Sequence, residues 1–437
     1  MSAASRARRR NPDLEIIVLE KGQHVSYGAC GLPFYLSGEV TDWNDLVVYT
    51  PEYFREKRGI DVRLGHEAIQ IEPGRKLVHA LRAVSQPVAI PYDKLLIATG
   101  AAPSTNIPGA ELPGVFTCSD LAGTIRLREF LDQKKPKTAV VAGSGYIGLE
   151  VADALSRRGI QVTLLGRAAH ILEGFEPEIQ KQVEGSLAAH GVHIRMNCAV
   201  TQITESGSGD GLHVHHEGGS ESADVAIIAT GLVPRTSLCE SARIAIGDTG
   251  AIKVDDRMLT NVNSIYAAGD CAETMHLVSC RPAYFPLGTT ANKMGRVAGE
   301  NAAGGRARFE GIVGTLATKV FELEVARTGL STTEARAAGF DSRSVTIHTA
   351  SRARYLGGRQ VTATLVWDQS SGRFLGFQLA GEEGAAKRVD AAAVALHAKM
   401  RVADMLHLDL SYAPPFAPVW EALLIAAGES LKDSRGA

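Results

Sequence analysis

The run Ser26-Tyr27-Gly28-Ala29-Cys30-Gly31-Leu32-Pro33-Phe34 sets one cysteine among small residues, directly after a strand-like stretch from Glu15 to Glu20. Small neighbours let a flat cofactor or a thiol substrate reach the sulfur, and the N-terminus of a following helix favours thiolate over thiol. The chemistry such a thiolate performs is attack on another sulfur. Tyr35 stands five positions on, so no CxxxxC dithiol exists, and any disulfide at Cys30 has to form with a substrate or another chain. The remaining cysteines, Cys118, Cys198, Cys239, Cys271 and Cys280, show no CxxC pair and no metal-ligand spacing. No metal site and no disulfide framework is therefore expected, and the set fits a reducing compartment.

A second constellation spans Lys137 to Leu155. A strand over Thr138–Ala142 runs into Gly143-Ser144-Gly145-Tyr146-Ile147-Gly148, and a helix continues through Leu155. Glycines at these spacings allow a tight turn and close approach to a pyrophosphate, whose charge the helix N-terminus stabilises. The reading is a nicotinamide nucleotide site, with Gly143, Gly145, Tyr146, Ile147 and Gly148 at the loop and Glu150 one turn further. The next strand, Gln161–Leu165, ends in Gly166-Arg167 where an NAD-selective site carries an acid. Arg167 is expected to accept a 2′-phosphate, so NADPH should serve as well as NADH.

Around these two stretches the chain supplies further elements. Met1 to Arg10 reads as the second half of a helix, followed by a turn at Asn11-Pro12-Asp13 and the strand ending at Glu20. Ser2, Arg6 and Arg9 share a face of that helix. A strand before the helix and a glycine-rich loop are expected in a dinucleotide unit, and the sequence does not contain them here. The expectation is that Met1 is an internal methionine and that the sheet of this unit lacks a central strand. The run Tyr92–Gly100 ends in Ala98-Thr99-Gly100, and Ala226–Gly231 repeats that ending as Ala229-Thr230-Gly231. From about Phe309 the pattern changes to strands (Val361–Trp367, Phe374–Ala380) and an alanine-rich helix, Val389–Met400.

At 437 residues and 45% hydrophobic composition the chain can fill two or three cores. With 46 basic and 48 acidic residues the net charge is −2, so no basic field speaks for nucleic acid and no polybasic face for a membrane. No apolar run is long enough to span a bilayer, and the Arg-rich opening flows into a strand as a helix tail would, so a cytoplasmic location is expected.

These segments, together with Thr260–Asp270, Pro286–Lys293 and Tyr412-Ala413-Pro414-Pro415-Phe416-Ala417-Pro418-Val419-Trp420, resemble the single-cysteine class of pyridine nucleotide-disulfide oxidoreductases over nearly the whole chain. The branch is that of coenzyme A disulfide reductase, NADH oxidase and persulfide reductase. The resemblance implies an α/β fold of two Rossmann-like three-layer domains, for FAD and NAD(P)H, and a C-terminal α+β dimerisation domain. The boundaries implied are 1–110 and 232–308 for FAD, 111–231 for NAD(P)H and 309–437 for dimerisation. FAD contacts fall on Glu20, Lys21, Thr99, Gly100, Asp270, Leu287, Gly288 and Thr289, Gly231 is a cofactor contact at the exit from the second nucleotide domain, and Tyr146 becomes an aromatic gate over the flavin. Coenzyme A contacts fall on Ser2, Arg6, Arg9, Ser26, Arg58 and Asn292. Tyr412 is implied to reach the Cys30 and flavin of a second copy in a homodimer, as a proton donor.

The function implied is NAD(P)H-driven, FAD-dependent reduction of a low-molecular-weight disulfide, persulfide or polysulfide, coenzyme A disulfide foremost, in cell redox homeostasis. The alternatives are an NAD(P)H oxidase or peroxidase cycling a cysteine sulfenate, or a non-catalytic redox sensor if the N-terminal strand and loop are truly missing. Two positions depart from some coenzyme A disulfide reductases: Ala29 stands where they have Asn, and Tyr355-Leu356 where they have paired tyrosines.

Overall fold

Apolar residues on both faces mark Thr138–Ala142 as a central parallel strand, and four of its five residues are buried. Gln161–Leu165 pairs with it in parallel on one side and Val225–Ile228 on the other. His193–Arg195 and Val115–Phe116 complete a five-stranded sheet of dinucleotide-binding type. Helix Tyr146–Arg157 leaves the central strand and buries Leu149, Val151, Ala152 and Leu155. In this computed structural model, residues 1–82, 86–207 and 211–433 are described.

The N-terminal and third quarters form a second unit. Ile17–Glu20 pairs in parallel with Asp61–Leu64, and Leu95–Ile97 pairs in parallel with Ile265–Ala267, as two separate two-stranded sheets. Helix Ser2–Arg10 opens the chain and packs against helix Gly288–Ala302. A Cβ built at Gly299 would stand 2.2 Å from the Ala3 carbonyl oxygen, so glycine is what lets these two backbones touch. The two Ala-Thr-Gly endings lead into strands that pair with each other, Ala101–Pro103 running antiparallel to Leu232–Pro234. Both crossings between the two units therefore lie side by side.

The C-terminal unit is a five-stranded antiparallel sheet in the order Leu316–Val320, Leu323–Gly329, Phe374–Gly381, Gln360–Asp368, Ser342–Ala350. Trp367, Phe374 and Phe377 are buried at its centre. Helix Ala385–His397 packs on the middle strands and helix Ala422–Asp433 on Ser342–Ala350 and Gln360–Asp368. The expected helix Val389–Met400 thus begins four residues earlier. Its start is set by the Glu324 carboxylate of a neighbouring strand, which accepts from Gly384 N at 3.2 Å and Ala386 N at 2.9 Å. Among the described residues no helix is long and apolar enough to cross a membrane.

Candidate active site

The glycine loop divides its labour. Gly143 has φ +125°, and a Cβ built there would stand 2.1 Å from Ala229 O; at Gly148 it would stand 1.9 Å from Gly143 O. At Gly145 nothing lies within 4 Å. The outer glycines are thus demanded by backbone contact, while the middle one keeps open space above the first turn of the Tyr146 helix, whose N–H groups have no side-chain cap. Beyond the next strand, a Cβ at Gly166 would lie 2.5 Å from Met196 Cε and 2.7 Å from Ser144 Oγ. A side chain there would have to displace the end of the Met196 side chain and the Ser144 hydroxyl. Arg167 is exposed, with no hydrogen bond or ion pair among the described residues.

Tyr146 is the first residue of its helix, and its ring meets Phe175 edge-on at 6.3 Å. Burial pushes its hydroxyl up to about 12, with the Arg327 charge opposing. Ile147, next in the turn, packs against the core of this unit. One turn on, the Thr318 hydroxyl donates to Glu150 Oε1 at 2.7 Å. Burial holds the Glu150 carboxyl above the usual carboxylate range, the Thr318 bond pulls it back, and Asp153 adds to the rise.

Cys30 sits in a single tight turn, Ala29–Gly31, immediately before helix Leu32–Ser37. Leu46 seats the turn: its carbonyl accepts from Gly28 N at 2.8 Å, and a Cβ at Gly31 would lie 2.5 Å from its Cδ2. The cysteine helix packs along the Tyr146 helix. The Cys30 side chain is exposed. Even so, surrounding protein desolvates the sulfur and pushes the thiol pKa up, and the Glu150 and Asp270 carboxylates push the same way. A backbone hydrogen bond at Cys30 pulls the other way without reversing the rise, so the thiolate expected from the helix start is not favoured in this environment. Glu150 belongs to the nucleotide helix and Asp270 to the turn after strand Ile265–Ala267, so the sulfur stands where both units meet.

Asp270 carries the clearest sign of an absent partner. Its Oδ1 is buried with no hydrogen bond, and burial alone pushes its carboxyl up. Tyr284 donates its hydroxyl to the Asp270 carbonyl at 3.0 Å. At Leu287-Gly288-Thr289 the helix Gly288–Ala302 starts without a side-chain cap, and Gly288 and Thr289 are exposed. Glu20 ends its strand with Oε1 accepting from Gly22 N at 2.6 Å, while Lys21 forms an exposed ion pair with Glu67 at 2.7 Å. Thr99 donates to Arg235 O at 2.6 Å, and Gly100 and Gly231 have φ +70° and +122°. An orphaned carboxylate oxygen, an uncapped helix start and a strand-end acid suit the ribityl chain, ring edge and ribose of a flavin nucleotide.

The candidate substrate contacts are partly brought together. Ser2 hydrogen-bonds Asn292 across the two packed helices. Arg6 and Arg10 both pair with Glu300, at 2.7 and 3.1 Å, whereas Arg9 is exposed and unpaired among the described residues. Arg58 bonds Ser5 Oγ and lies 5.2 Å and 5.3 Å from the stacked rings of Tyr49 and Tyr53. The Ser26 carbonyl accepts from Val48 N at 2.9 Å.

Tyr412 is exposed in the C-terminal unit, as are Phe416, Val419 and Trp420 of the same segment and Tyr355 and Leu356 of another. A bond from Ala353 N to Pro414 O at 3.2 Å holds these two segments side by side. Phe416 and Tyr355 are each 78% exposed and Trp420 59%, large apolar side chains of the kind that cluster at interaction surfaces.

Sequence reasoning did not single out Thr318, Arg235, Tyr284 or Phe175, each of which touches a candidate residue, or Arg327, which packs on Phe175. The candidate residues that the first four touch lie 14 to 168 residues away along the chain, as with Tyr284 and Asp270 or Thr318 and Glu150. No spacing rule marks them.

Residues 1–290 match the family model described as pyridine nucleotide-disulphide oxidoreductase, and residues 315–423 match the dimerisation domain of the same name. The chain is 39% identical over 430 residues to the NAD(P)H sulfur oxidoreductase (CoA-dependent) of Pyrococcus furiosus, covering 98% of this chain and 96% of that one. It is 29% identical to the coenzyme A disulfide reductase of Staphylococcus haemolyticus, covering 95% and 93%. A solved structure of an NAD-dependent persulfide reductase from A. fulgidus superposes with a TM-score of 0.96 at 36% identity, covering all of this chain and 81% of that one.

Proposed function

The chain belongs to the pyridine nucleotide-disulphide oxidoreductases, FAD-dependent enzymes that draw electrons from NAD(P)H, and from that premise we propose that it reduces a small disulfide, persulfide or polysulfide of coenzyme A type through Cys30. The observation that carries this reading is the position of Cys30. Its sulfur is exposed to a substrate and at the same time lies within the field of Glu150 on the nucleotide helix and of Asp270 in the flavin motif.

Bound FAD supplies the two-electron link between the nicotinamide and sulfur. Glu20, Thr99, Gly100, Gly231, Asp270 and the Leu287-Gly288-Thr289 helix start would hold it, with Lys21 close to Glu20. Gly143, Gly145, Ile147 and Gly148 hold the nicotinamide dinucleotide, Arg167 takes a 2′-phosphate, and Tyr146 and Glu150 line the way to the flavin. Ser2, Arg9, Ser26, Arg58 and Asn292 form one side of the coenzyme A site, with Arg6 anchored to Glu300 beside them.

Cys30 as thiolate bonds to one sulfur of the substrate, and the substrate S–S bond breaks. The leaving sulfur takes a proton, for which Tyr412 of a second copy is the candidate donor. Two electrons and a proton then return Cys30 to the thiolate and release the second product sulfur as a thiol. The balance is NAD(P)H, a proton and a disulfide to NAD(P)⁺ and two thiols. The exposed face around Tyr412, Phe416 and Trp420 is where the second copy docks in a homodimer, which makes each site depend on both chains.

The test is anaerobic turnover with NADPH and coenzyme A disulfide or coenzyme A persulfide, read as thiol or sulfide released per NADPH oxidised. A stoichiometry near the balance above, lost in Cys30→Ser, is the expected result. NADPH oxidation that requires oxygen and is indifferent to either sulfur substrate would overturn the reading in favour of an oxidase.

A further inference from the structure

The loop after strand Gln161–Leu165 is held at both ends by different units. Leu172 N donates to Ser144 O of the glycine loop at 3.0 Å, and Leu172 itself has φ +49°. Two residues on, the C-terminal sheet takes over. Arg327 donates from Nη1 to Gly174 O at 2.6 Å and from Nη2 to Gly329 O at 3.0 Å, and it pairs with Glu334. Gln378 donates to Gly174 O at 3.1 Å and accepts from Glu176 N at 2.7 Å, while Glu176 Oε1 accepts from Thr332 N at 2.6 Å.

Phe175 lies between these anchors. Its buried ring has the Arg327 guanidinium 5.6 Å from its centroid on one side and the Tyr146 ring 6.3 Å away on the other. Gly174 has φ +91°, and a Cβ there would stand 2.3 Å from Arg327 Nη1, so this approach requires glycine. The Arg327 and Glu334 charges are felt at the Tyr146 hydroxyl. The C-terminal sheet thus reaches the first residue of the nucleotide helix through one aromatic ring.

We infer that Arg327 and Phe175 are positioning residues that set the resting place of the Tyr146 ring, and so how readily the nicotinamide half of the dinucleotide enters. This rests on the proposed role of Tyr146 beside the nicotinamide. Held edge-on by Phe175, the Tyr146 ring resists displacement. An edge-to-face aromatic pair is worth enough that its loss changes an equilibrium by roughly two- to twelvefold. The adenosine half binds at the glycine loop and Arg167 and does not meet Phe175.

The test is calorimetric titration of the flavin-loaded dimer with NADP⁺ and with 2′-phospho-ADP-ribose, which lacks nicotinamide. NAD⁺ and ADP-ribose run in parallel. Phe175→Leu and Arg327→Met are each expected to tighten the whole dinucleotide by roughly three- to tenfold while leaving the fragment within twofold. Phe175→Leu, which keeps the volume apolar and the anchors intact, serves if Arg327→Met does not fold. In a Tyr146→Ala background the effect of either change should vanish. Equal shifts for dinucleotide and fragment, or an effect that persists without Tyr146, would overturn the inference. If Tyr146→Ala by itself leaves the dinucleotide-to-fragment ratio unchanged, the proposed role of Tyr146 fails as well, and that result is distinct from either of the others.

Discussion

Arg167→Ala isolates the recognition of a 2′-phosphate from everything else the chain does. The side chain is exposed and has no hydrogen bond or ion pair among the described residues, so its removal breaks no native contact. A surface change of that kind moves stability by no more than about 0.5 kcal/mol. A hydrogen bond to a charged group is worth about 1.5–3 kcal/mol. At about 1.4 kcal/mol per factor of ten, the loss is roughly 10- to 150-fold. kcat/KM for NADPH is therefore expected to fall by that factor while kcat/KM for NADH stays within about twofold, in initial-rate assays with one sulfur acceptor held constant. A matched fall for both nucleotides would refute the reasoning, because it would place Arg167 in the scaffold of the loop. No fall for either would mean the guanidinium does not meet the ribose. The converse change, Gly166→Asp, is not expected to give a cleanly NADH-selective enzyme. Its Cβ would lie 2.5 Å from Met196 Cε, and overpacking of this sort costs about 1–3 kcal/mol of stability, visible in a thermal melt.

Three other outcomes follow from the site. Burial and the Glu150 and Asp270 carboxylates hold the Cys30 thiol above its ordinary pKa, so the neutral form is favoured; in flavin-free protein the alkylation rate should rise only above the usual thiol range. Glu150→Gln should shift that profile to lower pH, and a wild-type midpoint at or below that of free cysteine would contradict the assignment. The Asp270 carboxyl is raised by burial, so the folded chain binds its proton more tightly than the unfolded chain does, and the ionised form costs stability above the folded pKa. Flavin-free Asp270→Ala should thus melt higher than flavin-free wild type at pH 7, the gap narrowing as pH falls, while retaining no FAD; a lower melting temperature at pH 7 would count against it. Phe416→Asp together with Trp420→Ala, at side chains 78% and 59% exposed, should convert the proposed dimer to a monomer by sedimentation, since aromatic anchors at the centre of an interface contribute about 2–4 kcal/mol each. A dimer unaffected by both changes would move the interface elsewhere.

The stretch Thr138–Gly148 was legible because everything it needs is local. An apolar run, three glycines at fixed offsets and an amphipathic continuation form strand, turn and helix within eleven residues, and the strand bounds Thr138–Ala142 and Gln161–Leu165 are as the sequence implied. The placing of Cys30 was legible for the same reason: its small-residue neighbours form a tight turn directly before a helix. The strand expected from Glu15 forms only from Ile17, since its partner Asp61–Leu64 is four residues long.

What the tertiary structure alone decided is which of these groups meet and what they do to one another. Glu324 caps a helix 60 residues away, Glu300 claims Arg6, and Thr318 reaches across to Glu150. The sign of the Cys30 shift also belongs to the fold. A local helix start would favour thiolate, but the desolvation around the sulfur and the carboxylates of Glu150 and Asp270 arrive from other parts of the chain. Residue type and spacing fix the possible chemistry because covalent structure and helical or strand periodicity are local. Burial and charge proximity, which set pKa and position, are sums over neighbours that only folding brings within range.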